Sequence, residues 1–463
     1  MIYFGQEQTK AIRDCTLEWH CCEIVLSQPY LSDGYELRGY GIIKSQNNGS
    51  IYLEFICLKS NKRLSFASPI PEYMLEENQT VVMNAKTIDG VNLISEKLSV
   101  ETSFNQMIMD FPKLYRMGLS EIEFCESVEQ KDENSRSYLY FEFNENVSIP
   151  FNKINTMESS LGSRSSEWNQ ADIEFKDIKI KIIKHNEYMQ VSASGGSLDT
   201  KKIRDAIAFY LGFSSGVLIQ PYYEHLQDSS ITTRIIRSID RKKIHRHISP
   251  PMHGSIKTNN SYPLDPHYEL LEKIYVVSIN SPDYFESTYS QWKRIWHSFF
   301  SNDISVPMLT VSIAVEGILN DIFIPVLAKR LVDKNFEIEK ENIVEIIRLV
   351  EGVSEAHLKT ITQFVERWGN IRSKKALQHL VEIGLIEKKQ LNCWEKLRNS
   401  SAHPKLLVQD EQRKRKNVER TVICLGLFYR LTLNVYSYKG PQYAYEKAQD
   451  NELTVKEYIE VLH

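Results

Sequence analysis

The sequence changes character at ISPPMHGSIKTNNSYPLDP, residues 248–266, a stretch rich in Pro, Gly, Ser and Asn. This composition is typical of a loop or a domain junction, because proline and glycine interrupt regular secondary structure. Strand-like alternation dominates the chain before this stretch, and helical periodicity dominates after it. The sequence therefore predicts an α+β protein, with an antiparallel β-rich region over 1–247, a linker over 248–265 and an all-α domain over 266–463.

The β-rich region contains several strand pairs joined at recognisable turns. YELRGYGIIKS and IYLEFICLKS flank an Asn-Gly turn at 48–49, and a second pair flanks an Asp-Gly turn at 89–90. These dipeptides strongly favour a tight hairpin turn. A third pair, in which isoleucines alternate with lysines, turns at a His-Asn dipeptide at 185–186. We expect an antiparallel sheet with one solvated face, either a sandwich or a curled barrel.

Two polar segments interrupt the β-rich region. VEQKDENSRS at 128–137 and LGSRSSEWNQ at 161–170 are both predicted to be exposed loops. The first would divide the region into two subdomains, and both are candidate contact points for a ligand. A helix is expected over DTKKIRDAIAFYLGF at 199–213, with Gly212 as its predicted end.

The all-α domain is predicted from the helical spacing of its apolar residues. Its predicted helices are 266–280, 282–301, 306–333, 339–351, 354–368, 373–384, 387–403 and 411–438. Pro325 is expected to kink the third of them, because proline removes a backbone hydrogen bond. The final segment, YAYEKAQDNELTVKEYIEVLH at 443–463, is expected to add a short helix.

The third predicted helix contains the most membrane-like stretch of the chain, LTVSIAVEGILNDIFIPVLA at 309–328. Glu316, Asn320 and Asp321 interrupt it, and a membrane span rarely tolerates such polar groups. A buried helix is therefore predicted rather than a membrane span. The N-terminus shows no basic start followed by an apolar run, so no signal peptide is expected. We expect a cytoplasmic protein that does not contact a membrane.

Bulk composition narrows the functional classes. The chain of 463 residues is 42% hydrophobic and 25% charged, which predicts two or three folded domains rather than global disorder. Its formal net charge of −4 does not indicate a nucleic-acid partner, so any such contact must come from a local patch. The seven cysteines include no C-x-x-C pair, which favours reduced thiols over disulfides or a zinc site. No phosphate-binding loop, H-E-x-x-H or G-x-S-x-G motif occurs, and neither a metal nor another cofactor is expected.

One motif near the end of the all-α domain contains candidate catalytic residues. The segment LNCWEKLRNSSAHPKLL at 391–407 arranges Arg398, Asn399 and His403 as Arg-Asn-x3-His. Cleavage of RNA without a metal uses the ribose 2′-OH as nucleophile, which requires proton transfer near neutral pH and positive charge at the phosphate. Histidine supplies the first and the planar, permanently charged fork of arginine supplies the second. Asn399 can orient a neighbour or donate to the phosphate.

Helix geometry leaves the arrangement of these groups open. Asn399 and His403 share one face of a helix, whereas Arg398 and His403 point about 140° apart. Pro404 disfavours helical backbone at His403, so His403 is expected at the helix end, where its side chain can turn towards Arg398. Alternatively, two subunits share the site, with their motifs facing each other.

The motif and its all-helical surroundings resemble those of the HEPN superfamily, small helical bundles of which many are RNases. A β-rich N-terminal region followed by such a domain is similar to the ApeA family of bacterial anti-phage proteins. The resemblance is specific at 391–408 and architectural elsewhere. It implies a metal-independent endoribonuclease, without cofactors, that cleaves host RNA such as tRNA to block translation and arrest growth (abortive infection). It also implies a homodimer through the HEPN domain and a phage-derived trigger sensed by the N-terminal region. The alternative is a non-catalytic protein that binds nucleotides or RNA and dimerises.

The resemblance also suggests a role for an acidic residue of the third helix. An acid within an apolar helix usually needs a partner. HEPN domains often have an acidic residue on an earlier helix that meets the motif arginine, and Glu316 is our candidate for that role. The alternative is that Glu316 lies on a thin exposed stripe. Trp394, one turn before Arg398, is expected to pack in the core rather than stack on a base.

Two basic clusters are candidates for contacts with an RNA backbone, since phosphate contacts are the main source of affinity. The first follows the motif, and its candidate residues are Lys405, Arg413, Lys414, Arg415 and Lys416. The second is RIIRSIDRKKIHRH at 234–247, whose spacing would align several charges along one helical stripe. The alternative for both is a solvated charged surface.

Overall fold

The structure is a computed structural model of the chain. It describes residues 6–61, 80–96, 98–100, 112–127, 137–158, 164–196, 198–228, 231–252, 265–331, 334–350, 352–366, 370–402, 411–447 and 455–457. The chain forms two compact units, one of residues 1–212 and 217–247 and one of residues 213–216 and 248–463. The first is built mainly of strands and the second mainly of helices, so the predicted α+β class is confirmed.

The described part of the β-rich unit contains one large sheet, one complete helix and most of a second, whose last residues, 213–215, belong to the helical unit. The helices are α1 (Gln6–Arg13) and α2 (Thr200–Ser215). The strands are β1 (Glu18–Ser27), β2 (Glu36–Ser45), β3 (Ile51–Ser60), β4 (Val82–Thr87), β5 (Asn92–Ser95), β6 (Leu98–Val100), β7 (Lys113–Leu119), β8 (Glu121–Ser127), β9 (Ser137–Phe143), β10 (Lys153–Glu158), β11 (Arg164–Phe175), β12 (Ile178–Lys184), β13 (Met189–Gly195), β14 (Tyr223–Asp228) and β15 (Ile231–Arg237). Their order in the sheet is β10-β11-β12-β13-β9-β14-β15-β8-β5-β4-β1-β2-β3-β7-β6. Each pairing between described strands is antiparallel, as predicted. The two halves of this order, β10 to β8 and β5 to β6, are joined among the described residues by one residue pair, Ile94 with Glu123.

Glycine turns and alternating burial explain the best-predicted part of this sheet. Gly49 between β2 and β3 has φ +90°, and Gly90 between β4 and β5 has φ +84°, as tight hairpin turns require. Alternation along β3 then buries Leu53, Phe55 and Cys57, each fully. Full burial of such side chains contributes about 1.5–3 kcal/mol each. The hairpins predicted at 48–49, 89–90 and 185–186 are confirmed.

The β-rich unit differs from prediction in two stretches. The loop predicted at 161–170 is wrong over its last seven residues, which begin β11 and pair with β10. Backbone hydrogen bonds of a strand do not depend on apolar side chains, and Trp168 remains 54% exposed. The loop and subdomain break predicted at 128–137 fall almost entirely outside the described residues, since Ser137 already begins β9.

The helical stripe predicted over 234–247 is also wrong. Residues up to Arg237 complete β15, and Arg241–Lys243 form one turn of 3-10 helix. β15 pairs with both β8 and β14, which satisfies its backbone on both sides and buries Ile235 and Ile236. Tertiary pairing has therefore overridden the local helical spacing of the basic residues.

The helical unit contains the predicted helices with small changes at their ends. They are α3 (Asp265–Asn280), α4 (Pro282–Ser298), α5 (Ser305–Ile318), α6 (Ile324–Leu331), α7 (Lys334–Arg348), α8 (Glu355–Glu366), α9 (Ser373–Glu382), α10 (Lys388–Ala402) and α11 (Glu411–Val435). The third predicted helix is divided into α5 and α6 by a π-helical turn, Leu319–Phe323. In this turn Ile324 N–H donates to the Leu319 carbonyl, one residue further back than in an α-helix. Such a wider turn relieves the clash between the ring of Pro325 and the carbonyl four residues before it.

α5 is the central helix of this unit and packs against α4, α10 and α11. Val311, Ala314, Val315 and Ile318 are fully buried in these contacts. By length and composition alone, the helical stretch Ser305–Arg330 qualifies as a membrane span, since it contains an 18-residue window with mean hydropathy 1.7, but half of that window is buried inside the protein. This packing is consistent with the predicted buried helix of a soluble protein.

The segment predicted as linker and the tail of the chain are packed together. Tyr445 Oη donates to the Pro250 carbonyl at 2.6 Å, and Tyr443 N–H donates to the Pro251 carbonyl at 2.9 Å. Residues 248–252 therefore belong to the helical unit, while the rest of the expected linker, 253–264, lies outside the described residues. Where the tail is described, the helix predicted for it is present only as one turn of 3-10 helix, Tyr445–Lys447, while β16 (Pro441–Tyr443) pairs with β17 (Val455–Glu457).

Candidate active site

Helix α10 turns one face to the core and presents part of the motif on the other. Leu391, Trp394 and Leu397 are spaced at three-residue intervals and are buried, which places the next residues, Arg398 and Asn399, at the surface. The start of the helix is fixed by Gln390, whose side chain accepts a hydrogen bond from the Glu387 N–H at 2.9 Å.

Arg398 forms a bidentate ion pair with Glu316 of α5. Its Nε and Nη2 atoms donate to the two carboxylate oxygens, each at 2.9 Å. The hydrogen bonds to the Glu316 carboxylate raise the pKa of Arg398 above its ordinary value, at which the guanidinium is already fully charged near neutral pH. The side chains are 45% and 28% exposed, so the pair contributes about 0–1 kcal/mol to stability while fixing the direction of the guanidinium.

A second contact one helical turn earlier holds the two helices together. Trp394 is 3% exposed, and its indole Nε1 donates to the Ser312 carbonyl of α5 at 3.1 Å. The Arg398 guanidinium lies 5.8 Å from the centre of the Trp394 ring. Successive turns of α10 therefore contact successive turns of α5, and the predicted core position of Trp394 is confirmed.

The remaining motif residues are placed unequally. Asn399 is exposed beside Arg398. His403 and Lys405 lie in 403–410, outside the described residues, so the expected helix end at His403 falls there too. The structure thus brings Glu316 and Arg398 together, with Asn399 exposed at the next position of α10, which is described up to Ala402.

The basic cluster at 413–416 forms the beginning of α11. All four of its side chains are exposed, and Lys414 pairs with Glu411 at 2.8 Å. α10 and α11 pack together, and Lys389 near the start of α10 pairs with Glu419 at 3.7 Å. The basic cluster and Arg398 thus belong to two helices that contact each other, and the residues that connect them, 403–410, lie outside the described residues.

Polar contacts around the π-helical turn were missed by the sequence analysis. Ser287 Oγ donates to the Asp321 carboxylate at 2.6 Å, and Ser373 Oγ lies 3.4 Å from Asn320 Oδ1. Pro325 was the only signal of this irregularity in the sequence. In the described ranges, no group of three or more His, Cys, Asp and Glu side chains is arranged to hold a metal ion.

Comparison with known proteins gave no family model, no curated protein and no solved structure that matches the chain. A functional assignment consequently depends on the motif, its position in the helical unit and the geometry around Arg398.

Proposed function

We propose that the chain is a metal-independent endoribonuclease of the HEPN type, with Arg398, Asn399 and His403 as its catalytic residues. The observation that carries the proposal is the bidentate pair between Arg398 and Glu316 at an exposed surface. An arginine that is fixed in direction but open to solvent is suited to bind a phosphate without further reorganisation.

The hydrogen bonds of Arg398 leave a defined part of the guanidinium free for substrate. Nε and Nη2 each donate one hydrogen to Glu316. The second edge of the planar group, formed by Nη1 and the other Nη2 hydrogen, can then donate to two phosphate oxygens. Glu316 would act as a positioning residue, since it orients the arginine and does not itself meet the RNA.

The proposed reaction assigns one task to each group. His403 takes the proton of the ribose 2′-OH or returns one to the leaving 5′-oxygen. The 2′-oxygen attacks the adjacent phosphorus and the bond to the 5′-oxygen breaks, which yields a 2′,3′-cyclic phosphate and a 5′-hydroxyl end. Arg398 stabilises the charge that develops on the phosphate oxygens, and Asn399 donates to the phosphate or orients His403.

The biological setting is proposed from the resemblance to the ApeA family. We propose that the protein acts in the cytoplasm, that host RNA such as tRNA is the substrate, and that cleavage blocks translation and arrests the growth of an infected cell. The HEPN domain would form a homodimer, and the β-rich unit would respond to a phage-derived trigger. Lys405 and the basic cluster at 413–416 would add phosphate contacts along the RNA.

The test is to induce the chain in cells and to sequence the RNA ends that appear. We expect new ends with the wild type, and none with Arg398→Ala or His403→Ala at equal protein level. Lys396→Ala is the matched control, since Lys396 is an exposed cation on the same helix, and this variant should cut as the wild type does. The purified protein should cut RNA in EDTA. Equal cutting by both motif variants would overturn the proposal.

A non-catalytic binding protein is the second candidate, and the same ion pair favours it. Arg398 and Glu316 join α5 to α10, which is a packing role that requires no chemistry. In that case the purified wild type would bind RNA and leave it intact under every activating condition. Arg398→Ala would then lower the stability of the helical unit without any change in RNA ends.

A further inference from the structure

A cavity of about 700 Å³ lies within the β-rich unit, and none of its lining residues belongs to the Arg-Asn-x3-His motif. It is formed by the end of α1, by residues 144–146, by the turn between β12 and β13, and by residues 241–245. A volume of this size is typical of small-molecule sites. All of these residues belong to one compact unit, so the cavity does not depend on the proposed RNase site.

The lining of the cavity is cationic. Arg13, Lys184 and Arg241 contribute positive charges, and Glu187 and Glu145 are its acidic residues. Glu145 is only 2% exposed, and burial raises the pKa of its carboxyl group to about 8, so this group is mostly neutral at pH 7. An anionic group would therefore be attracted to the cavity, chiefly towards the guanidinium groups.

Several buried polar atoms of the lining have no hydrogen-bond partner among the described residues. They are Oε2 of Glu145, Oδ1 of Asn144 and Nε of Arg241. Buried polar groups in folded proteins are nearly always paired, because leaving one unpaired is unfavourable. Because these atoms are themselves buried beside the cavity, a ligand with complementary polar edges would pair with them after a small rotation of their side chains. A protonated Glu145 also offers a donor, which suits a partner with both donors and acceptors.

Three flat side chains of the cavity lining form a stack. The Arg13 guanidinium lies 3.8 Å from the centre of the Tyr188 ring, and the His185 ring is parallel to Tyr188 within 9° at 4.3 Å. Both groups are so close to the ring centre that they must cover opposite faces of Tyr188. His185 Nε2 lies 3.2 Å from Gln190 Oε1, which fixes the imidazole plane. A planar ligand can extend this stack on the outer face of His185.

We propose that this cavity binds a nucleoside 5′-phosphate, with its phosphate at Arg13, Lys184 and Arg241 and its base at Asn144, Glu145 and His185. Inorganic phosphate alone would use the cations and leave the acceptors and the flat surface unused. An apolar ligand would leave the cations and the orphaned polar atoms without partners. A nucleotide is the ligand class that supplies an anion, a flat ring and a hydrogen-bonding edge together.

The proposal is tested by calorimetric titration of the full-length protein with the 5′-mono- and triphosphates of adenosine, guanosine, cytidine and uridine. Inorganic phosphate and the four nucleosides are the comparison ligands. We expect saturable binding of at least one nucleotide, about tenfold or more tighter than phosphate or the matching nucleoside. Absence of binding by all eight nucleotides, or phosphate binding as tight as theirs, would overturn the proposal.

Variants assign the binding to this cavity. Lys184→Gln and Arg241→Gln should each weaken binding about tenfold or more, because each removes a charge-assisted contact. Arg241 also donates to the Arg13 carbonyl, so Lys184→Gln is the variant with less effect on folding. Lys201→Gln, an exposed cation on α2, should bind as the wild type does. Unchanged affinity in Lys184→Gln and in a folded Arg241→Gln protein would contradict the assignment.

Discussion

Arg398 and Glu316 meet edge to edge, with Nε and Nη2 of the arginine each 2.9 Å from a different carboxylate oxygen. This geometry uses one edge of the guanidinium and leaves the other edge directed away from the carboxylate. A lysine could reach the same carboxylate only as a point charge, without a second fixed edge. The function of the site should therefore depend on the shape of the arginine and not only on its charge.

Arg398→Lys should lower the rate of RNA cleavage about 10²–10³-fold, as expected when a fixed donor to the transition state is lost. Positive charge is retained, so RNA affinity should change much less than the cleavage rate. Single-turnover cleavage and RNA binding by the purified protein measure the two effects. A rate within a factor of two of the wild type would show that charge alone suffices and would contradict the role of the planar fork.

Two substitutions of Glu316 should lower the rate of RNA cleavage to different extents. Glu316→Gln keeps one acceptor for the arginine and should lower cleavage less than Glu316→Ala, which keeps none. The change in unfolding free energy should stay below about 1 kcal/mol in both, because the pair is partly exposed. Denaturant unfolding measures the stability of each variant, and the cleavage assay measures its rate, so that the two effects can be separated. If the rates of the two variants fell only in proportion to their stability, Glu316 would have a packing role.

Local signals explain why much of the fold could be predicted. The glycines at 49 and 90 mark their hairpins, because few other residues adopt a positive φ at these turns. Amphipathic spacing likewise located α10, with Trp394 and Leu397 inside. The Arg-Asn-x3-His motif marked Arg398 as a candidate, and the family resemblance together with the apolar helix around Glu316 suggested that acid as its partner.

Features that depend on distant partners could not be predicted in the same way. Residues 164–170 are polar and resemble a loop, yet β10 and β12 on either side make β11 a strand. The basic residues at 234–237 have helical spacing, yet β8 and β14 bind their backbone. The nucleotide-sized cavity joins Arg13 to segments more than a hundred residues away, and no local pattern in the sequence connects them.

Gly216→Ala should destabilise the protein strongly, whereas Gly384→Ala should have a small effect. Both glycines follow a helix and have positive φ, +72° and +76°. A Cβ atom at Gly216 would lie 1.9 Å from the Ile248 carbonyl oxygen, while nothing lies within 4 Å at Gly384. The predicted helix end at Gly212 is thus wrong, since α2 continues to Ser215 and Gly216 terminates it.

For Gly384→Ala the expected cost is about 1 kcal/mol, from the left-handed backbone alone. Gly216→Ala adds a clash between the new Cβ and the Ile248 carbonyl oxygen, a backbone atom that cannot move independently, and its cost should exceed about 3 kcal/mol. Thermal or urea unfolding of the two variants measures the difference. Equal stability of the two proteins would mean that the close approach between Gly216 and Ile248 is absent in solution.

Titration of the buried Glu145 carboxyl group should lower the free energy of unfolding of the protein as pH rises. Burial raises its folded-state pKa from 4.5 to about 8. Below pH 4.5 the carboxyl group is protonated in both states and favours neither. Between pH 4.5 and 8 the unfolded chain loses its proton first, so rising pH favours unfolding, by about 1.4 kcal/mol per unit of pKa difference. Above pH 8 the group is ionised in both states and the loss is complete.

Glu145→Gln removes this titration while keeping the size of the side chain. The free energy of unfolding of Glu145→Gln, relative to that of the wild type, should therefore increase from pH 5 to pH 8 and change little beyond pH 9. Urea titration of both proteins at each pH measures this difference. Glu187→Gln is the matched control, because Glu187 is an exposed acid on the same cavity, and its curve should run parallel to that of the wild type. A pH-independent difference between Glu145→Gln and the wild type would mean that Glu145 is ionised in the folded protein at neutral pH. In that case the carboxylate would repel a bound phosphate, and the base would have to be recognised by Asn144 and His185 instead.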